Sequence, residues 1–415
     1  MNRNYALLSA YLYFFFFAQA MSISLLSIWY RRTLGLSGAE VGIVFSATFF
    51  VALVLQPVYG YLSDKAGLRK HVLWFVSLMC ISSGLFFAFL YGSLLKANIG
   101  AGALLGGLFI GLTFVAGAYA VESYVDRVGR KYGFEYGRAR LWGSLGFASA
   151  AFFSGRLFNI DPAINFSIAA GAGLVLCIVV FFTRVESSEA DRQGTASLNL
   201  RDALVVLRMK KFWGFMVLIL GVTNLYLVYD QQFPIYFASL FATPEQGSVM
   251  FGYLNSAQIF VEAGMMFVAP SIVSRIGARN GLLLAASIMI VRMAGSGLVT
   301  GPVAISCMKM LHSLELPIML VSVFKYIAWH FDNRLCSTIY MVGWSFGHSL
   351  GLAVLSPLAG LLYDRIGFPG TYLLLAAFAA AFLALSFFTL APTGHADAAP
   401  ARTGSGPARR PCDSF

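Results

Sequence analysis

Gly60-Tyr-Leu-Ser-Asp64-Lys65-Ala-Gly67-Leu-Arg69-Lys70 is a basic, glycine-bearing interruption between two long apolar runs, 40–62 and 71–91. A bilayer core needs roughly 20 apolar residues per spanning helix, and both runs meet that length. A β-barrel strand would show ~10-residue segments of alternating polarity, whereas these runs are continuous. The stretch therefore reads as the turn between two membrane helices. Along the rest of the chain, the same alternation of apolar run and polar punctuation predicts spans at 5–29, 40–62, 71–91, 99–125, 138–158, 163–183, 212–241, 249–269, 281–300, 301–325, 335–359 and 369–391. The ninth and tenth are joined only by Thr300-Gly301-Pro302.

Composition agrees. Of 415 residues, 59% are hydrophobic and 11% charged, against roughly 25% charged in a soluble domain. The net charge of +11 is no sign of a nucleic-acid partner, because in a membrane protein the placement of basic residues matters, not their sum. With both termini cytoplasmic, 21 Lys and Arg fall on the cytoplasmic side and five (Arg31, Arg32, Lys96, Arg156, Arg365) on the other. The positive-inside rule thus predicts two cytoplasmic ends and an even helix count. The first apolar run is too long for a cleavable signal and lacks a small-residue cleavage site at its end, so it reads as the first span. The five cysteines have no metal-ligand spacing.

The longest polar stretch divides six spans from six. The expected organisation is a six-helix bundle at 1–183, a cytoplasmic linker at 184–211, a second bundle at 212–391 and a disordered cytoplasmic tail at 392–415. The opening stretch has two echoes: Ser274-Arg275-Ile-Gly277-Ala-Arg279-Asn280 after the eighth span and Gly360-Leu-Leu-Tyr-Asp364-Arg365-Ile-Gly367 after the eleventh. A Gly-x-x-x-Asp-Lys/Arg-x-Gly-x-Arg-Lys loop after the second of six-plus-six helices resembles the major facilitator superfamily. That resemblance implies an all-α membrane protein of twelve transmembrane helices in two pseudo-symmetric bundles, with substrate bound between them near midplane.

Seven charged residues lie inside spans: Arg140, Arg292, Lys309, Glu122, Asp230, Glu262 and Glu315. Intramembrane ionisable groups cost roughly 2.5–3.5 kcal/mol on insertion scales, so they normally face a partner or a cavity. Four acids against three bases leave one carboxylate without a permanent partner, the composition a proton-coupled carrier needs. Lys309, His312 and Glu315 follow one another at three-residue steps, within an arc of roughly 120° on one helix flank, and read as a titrating relay. Tyr226 and Asp230 share a face of the seventh span. Asn255, Gln258 and Glu262 share one on the eighth, a polar stripe suited to hydroxyl groups or, alternatively, to helix–helix contact.

The runs Ala116-Gly117-Ala-Tyr-Ala-Val-Glu122, Phe134-Glu135-Tyr136-Gly137-Arg138-Ala139-Arg140, Asp230-Gln231-Gln232, Ile288-Met-Ile-Val-Arg292, Lys309-Met-Leu-His312-Ser-Leu-Glu315 and Phe324-Lys325-Tyr326 resemble the lactose permease and sucrose permease group of oligosaccharide–proton symporters. The resemblance implies that Glu122 and Arg140 grip sugar hydroxyls, with Phe16 and Phe147 in the same substrate site. It makes Glu315 the carboxylate that gains and loses the proton, Arg292 the guanidinium that drives its deprotonation, and His312 and Tyr226 the link between sugar and proton. Asp230 and Lys309 become an interhelical ion pair.

Departures from lactose permease put galactoside specificity in doubt. Phe147 stands where it has a stacking Trp, Ile259 where it has a substrate-binding Glu, and Glu262 where it has Asn. Leu227 and His348 replace a second charge pair, and Val115 an Asn. Gly252-Tyr253-Leu254-Asn255-Ser256, Gln258, Glu262-Ala263 and Trp142-Gly143-Ser144 match sucrose permease instead. The sequence thus predicts proton-coupled uptake of a sucrose-type disaccharide across a bacterial inner membrane. Lactose, melibiose or raffinose is the alternative cargo, and proton-driven sugar export a more distant one. No cofactor beyond the transported proton, no metal and no nucleic acid are expected, and the carrier is expected to act as a monomer in the lipid bilayer. An enzyme would need a nucleophile or metal cluster, and Lys309, His312 and Glu315 have no further ligand group near them in sequence.

Overall fold

A computed structural model describes residues 3–185, 205–331, 335 and 339–391. The predicted tail at 392–415 and most of the predicted linker lie outside the described residues.

The described chain is all-helical. Its long helices are α1 (Arg3–Arg32, with a turn at 24–25), α2 (Gly38–Ala66), α3 (His71–Ala97), α4 (Ile99–Tyr132), α5 (Tyr136–Ile160) and α6 (Pro162–Phe182). Then come α7 (Lys210–Ser239), α8 (Pro244–Ile276), α9 (Ala278–Leu298) and α10 (Pro302–His330). The last helical stretch, Val342–Thr389, is interrupted at Gly367 (φ 73°) and so comprises α11 (342–366) and α12 (368–389). Ten of these stretches are apolar and long enough to cross a membrane, Val342–Thr389 counting as one. The remaining helix, α5, carries Arg138, Arg140 and Arg156. The helices run past several predicted span ends, α4 by seven residues, because backbone hydrogen bonding continues after the apolar run has stopped.

Local chemistry explains the ends. Ser37 and Glu40 form a capping box at the start of α2: Ser37 N donates to Glu40 Oε2 (2.8 Å) and Glu40 N to Ser37 Oγ (3.2 Å). Asp161 caps α6 by accepting from Ala163 N, with Pro162 in the first turn. The three echoing loops share a backbone device. Gly67, Gly277 and Gly367 all have positive φ, at 58°, 82° and 73°. Only glycine takes that conformation without a Cβ penalty, so the repeated glycine is the point where each chain reverses after its helix. On α4, Gly107 fits where an added Cβ would lie 2.9 Å from the Ala47 backbone of α2. Small residues there let the two helices touch closely.

The chain groups into two compact units. One holds Met1–Ser197 with Asp230–Phe260 and Leu352–Phe368; the other holds Leu198–Tyr229, Val261–Gly351 and Pro369–Phe415. In the first unit α1 packs on α5 and α6, α3 on α6, and α2 on α4. Segments from α7, α8 and α11 join these helices through polar contacts. Asp364 accepts from the N–H groups of Gly38 (2.9 Å) and Ala39 (2.8 Å) at the start of α2, a carboxylate at the positive end of a helix dipole. Gln232 donates to Gly38 O (3.0 Å), and Arg32 pairs with Glu245. In the second unit α9 packs on α10.

Candidate functional site

Two polar clusters stand out, one in each unit. In the first, α4 carries Glu122 and α5 carries Arg140, and Arg140 Nε meets Glu122 Oε1 at 2.5 Å. The guanidinium also donates from Nη1 to Ser144 Oγ (3.3 Å) and lies over the ring of Phe16, 4.0 Å from its centroid. Phe16 is buried, while Arg140 and Glu122 remain 34% and 23% exposed at their side chains. A guanidinium backed by a carboxylate and laid on an aromatic face has its N–H groups held in a fixed plane. That is a geometry suited to vicinal hydroxyls. Phe147 sits two turns further along α5, half-buried.

Gly143 makes this arrangement possible. A Cβ at Gly143 would stand 2.6 Å from Phe16 Cδ2 and 3.0 Å from Arg140 Nη1. The sequence shows Trp142-Gly143-Ser144 as a run but gives neither Gly143 nor Ser144 a role. Their spacing of three and four from Arg140 was the available signal, since it puts them on its face of the helix.

On α8, Asn255 and Gln258 belong to the first unit and Glu262 to the second, the division falling between Phe260 and Val261. Gln258 is buried, and its Oε1 accepts no hydrogen bond among the described residues. Asn255 and Glu262 are half-buried.

The second cluster is drier. Glu315 and Arg292 are 1% and 0% exposed and form an ion pair at 2.8 Å through Glu315 Oε1 and Arg292 Nη2. The same Oε1 meets His312 Nδ1 at 2.8 Å. Glu315 Oε2 is buried without a hydrogen-bond partner among the described residues. Tyr226 lies against His312, ring centroids 5.4 Å apart.

The backbone of α10 helps to assemble this group. Leu311 N bonds to Met308 O (3.2 Å) and Leu314 N to Leu311 O (3.0 Å), three-residue closures that tighten the turn. The α-helix resumes at His312, which puts His312 and Glu315, three residues apart, on one flank. Lys309, within the first of these tight turns, is buried. It belongs to the second unit and Asp230 to the first.

Arg292 has a further contact that the sequence did not suggest. Its guanidinium carbon lies 4.6 Å from the centroid of the Tyr229 ring. Tyr229 follows Tyr226 by three residues, and that spacing was the signal.

The chain is similar in fold to a solved nucleoside transporter, NupG, with a TM-score of 0.78 over 94% of this chain and 100% of that one at 15% identity. Among characterised relatives, it is 40% identical to the raffinose permease of Escherichia coli over 94% of this chain and 93% of the relative. It is 41% identical to the lactose permease of Klebsiella oxytoca (88% and 89%) and 35% to the sucrose permease of Escherichia coli (94% of each). The model of the LacY proton/sugar symporter family matches residues 1–402. Nearly the whole chain thus carries the pattern, and this multi-pass membrane protein, a transporter and not an enzyme, belongs to the LacY proton/sugar symporter family.

Proposed function

We propose that this protein takes up a sucrose-type oligosaccharide together with a proton across the bacterial inner membrane, by alternating access, with both termini in the cytoplasm. The observation that carries the proton half is Glu315: one oxygen engaged by Arg292 and His312, the other buried and open to a proton. A buried carboxylate can cross between states only if a proton or a cation balances it. Protonated, Glu315 leaves Arg292 as the net charge; ionised, it forms a neutral pair with it. Sugar binds while Glu315 carries its proton. After sugar leaves to the cytoplasm, the approach of Arg292 favours release of the proton, and the empty carrier returns.

The sugar half rests on Arg140, Glu122, Phe16 and Phe147, with Asn255 and Gln258 of the same unit supplying amide partners. Gly143 gives it a test. Gly143→Ala inserts a methyl group into the Phe16–Arg140 contact, an overpacking worth roughly 1–3 kcal/mol. Half-saturation for sugar uptake is expected to rise about tenfold at unchanged amounts of protein in the membrane. Unchanged half-saturation would detach that stack from sugar binding.

The polar stripe on α8, with Ile259 in place of an acid, favours sucrose. Whole-chain identity supports a second reading, since the raffinose and lactose permeases, at 40% and 41%, exceed the sucrose permease at 35%. Raffinose contains both a galactosyl and a sucrosyl unit, which makes it the bridge between the two readings. In energy-depleted cells given sucrose, raffinose, melibiose or lactose in turn, sucrose is expected to alkalinise the medium most strongly. Alkalinisation by melibiose and lactose but not sucrose would establish the second reading. Acidification would indicate exchange of sugar for protons.

A further inference from the structure

We infer that Tyr229 is a positioning residue for the Arg292–Glu315 pair, its ring holding the buried guanidinium and favouring the state in which Glu315 carries its proton. The inference rests on Glu315 as the proton carrier. Its own basis is the immediate surroundings of Arg292. This guanidinium is fully buried, so bulk water does not solvate it, and the Tyr229 ring covers it at 4.6 Å. The ring is itself held from two sides. Its hydroxyl shares a 2.8 Å hydrogen bond with Ser296 Oγ, on the same face of α9 as Arg292 and one turn on. Tyr372 of α12 packs on it, with centroids 4.4 Å apart. Contacts from α9 and α12 thus hold the ring that α7 carries.

The sign follows from net charge. An aromatic face attracts a cation and repels an anion. With Glu315 ionised, the pair is neutral, and the ring's attraction for Arg292 is partly offset by its repulsion of the carboxylate. With Glu315 protonated, the attraction for Arg292 is the same and the repulsion of the carboxylate is gone. The ring therefore stabilises the protonated form more than the ionised form, and weakening it lets the proton leave at lower pH.

Other groups also act on this site. On α10 itself are His312, bonded to Glu315, and Lys309; on α9 is Arg292; α7 adds Tyr226 and α12 adds Tyr372. His348 on α11 and Glu262 on α8 are titratable groups of the same unit, and Asp230, next after Tyr229, falls in the other. A test at Tyr229 leaves all of these in place.

The test is an infrared pH titration of the purified, lipid-embedded protein, following the carboxylic-acid C=O stretch that is absent from Glu315→Gln. Protons are the only ligand required. Tyr229→Phe keeps the π face and loses the Ser296 bond, and its titration is expected to stay close to the parent's. Trifluorophenylalanine at the same position keeps the size of the ring but drains its face of electron density. Its band is expected to be half lost at a pH lower by roughly a few tenths of a unit than with phenylalanine, and Tyr229→Leu should move in the same direction. Because phenylalanine and its trifluoro form pack alike, the comparison survives even if the leucine variant does not fold. Coincident titrations for these two rings would overturn the inference and leave Tyr229 as packing alone. If Glu315→Gln removes no titrating band at any pH, the reading of Glu315 fails and the inference falls with it.

Discussion

Glu315→Gln is expected to abolish accumulation of sugar driven by a proton gradient while leaving exchange of internal for external sugar intact. The substitution copies the protonated carboxyl in shape and charge, and so fixes the carrier in the state that binds and passes sugar. What it removes is the neutral Arg292–Glu315 pair needed for the empty return. Breaking a buried ion pair can cost roughly 3–5 kcal/mol, but here the uncompensated Arg292 is a state the proposed cycle already visits, so the variant should fold. The two activities are separated by measuring counterflow and gradient-driven uptake in the same vesicles. Loss of both together would argue against Glu315 as the coupling acid.

Arg140→Ala is expected to have the opposite signature, with exchange and accumulation lost together. Losing the two charge-assisted hydrogen bonds that a guanidinium fork can offer a diol, each worth roughly 1.5–3 kcal/mol, would cost at least ~100-fold in affinity. Arg140→Lys should recover little, because an ammonium lacks the planar fork and the face that stacks on Phe16. Direct binding of labelled sucrose and raffinose to the purified variants measures the effect. Near-normal affinity in Arg140→Ala would remove the Glu122–Arg140 pair from the substrate site.

Much of the fold could be read from the chain because lipid imposes length. The apolar runs marked the helices, and the repeated glycine of residues 60–70 marked where they turn; Gly67, Gly277 and Gly367 share the left-handed backbone that explains the repetition. The charged residues were legible for a related reason: Glu122, Arg140, Arg292 and Glu315 are too costly in hydrocarbon to be incidental. The structure brings Glu122 to Arg140, and Glu315 to both Arg292 and His312.

What sequence could not supply was the approach of one helix to another. Gly143 matters because Phe16, more than a hundred residues earlier, comes into contact there. Tyr229 matters because α9 and α12 meet α7 at that level. No periodicity encodes such a meeting. The grouping of residues 230–260 and 352–368 with the first six helices is of the same kind. It depends on long-range contacts such as Asp364 with the start of α2, not on any boundary visible in composition.

Sugar and proton are expected to move inward together, and reconstituted vesicles make that movement measurable. Purified protein is placed in liposomes with an alkaline interior and supplied with labelled sucrose or raffinose. Sugar is expected to rise inside above its external concentration and to fall back to equality when a protonophore collapses the gradient. Equilibration to the same level with and without the gradient, for a sugar the protein demonstrably binds, would contradict proton-coupled uptake.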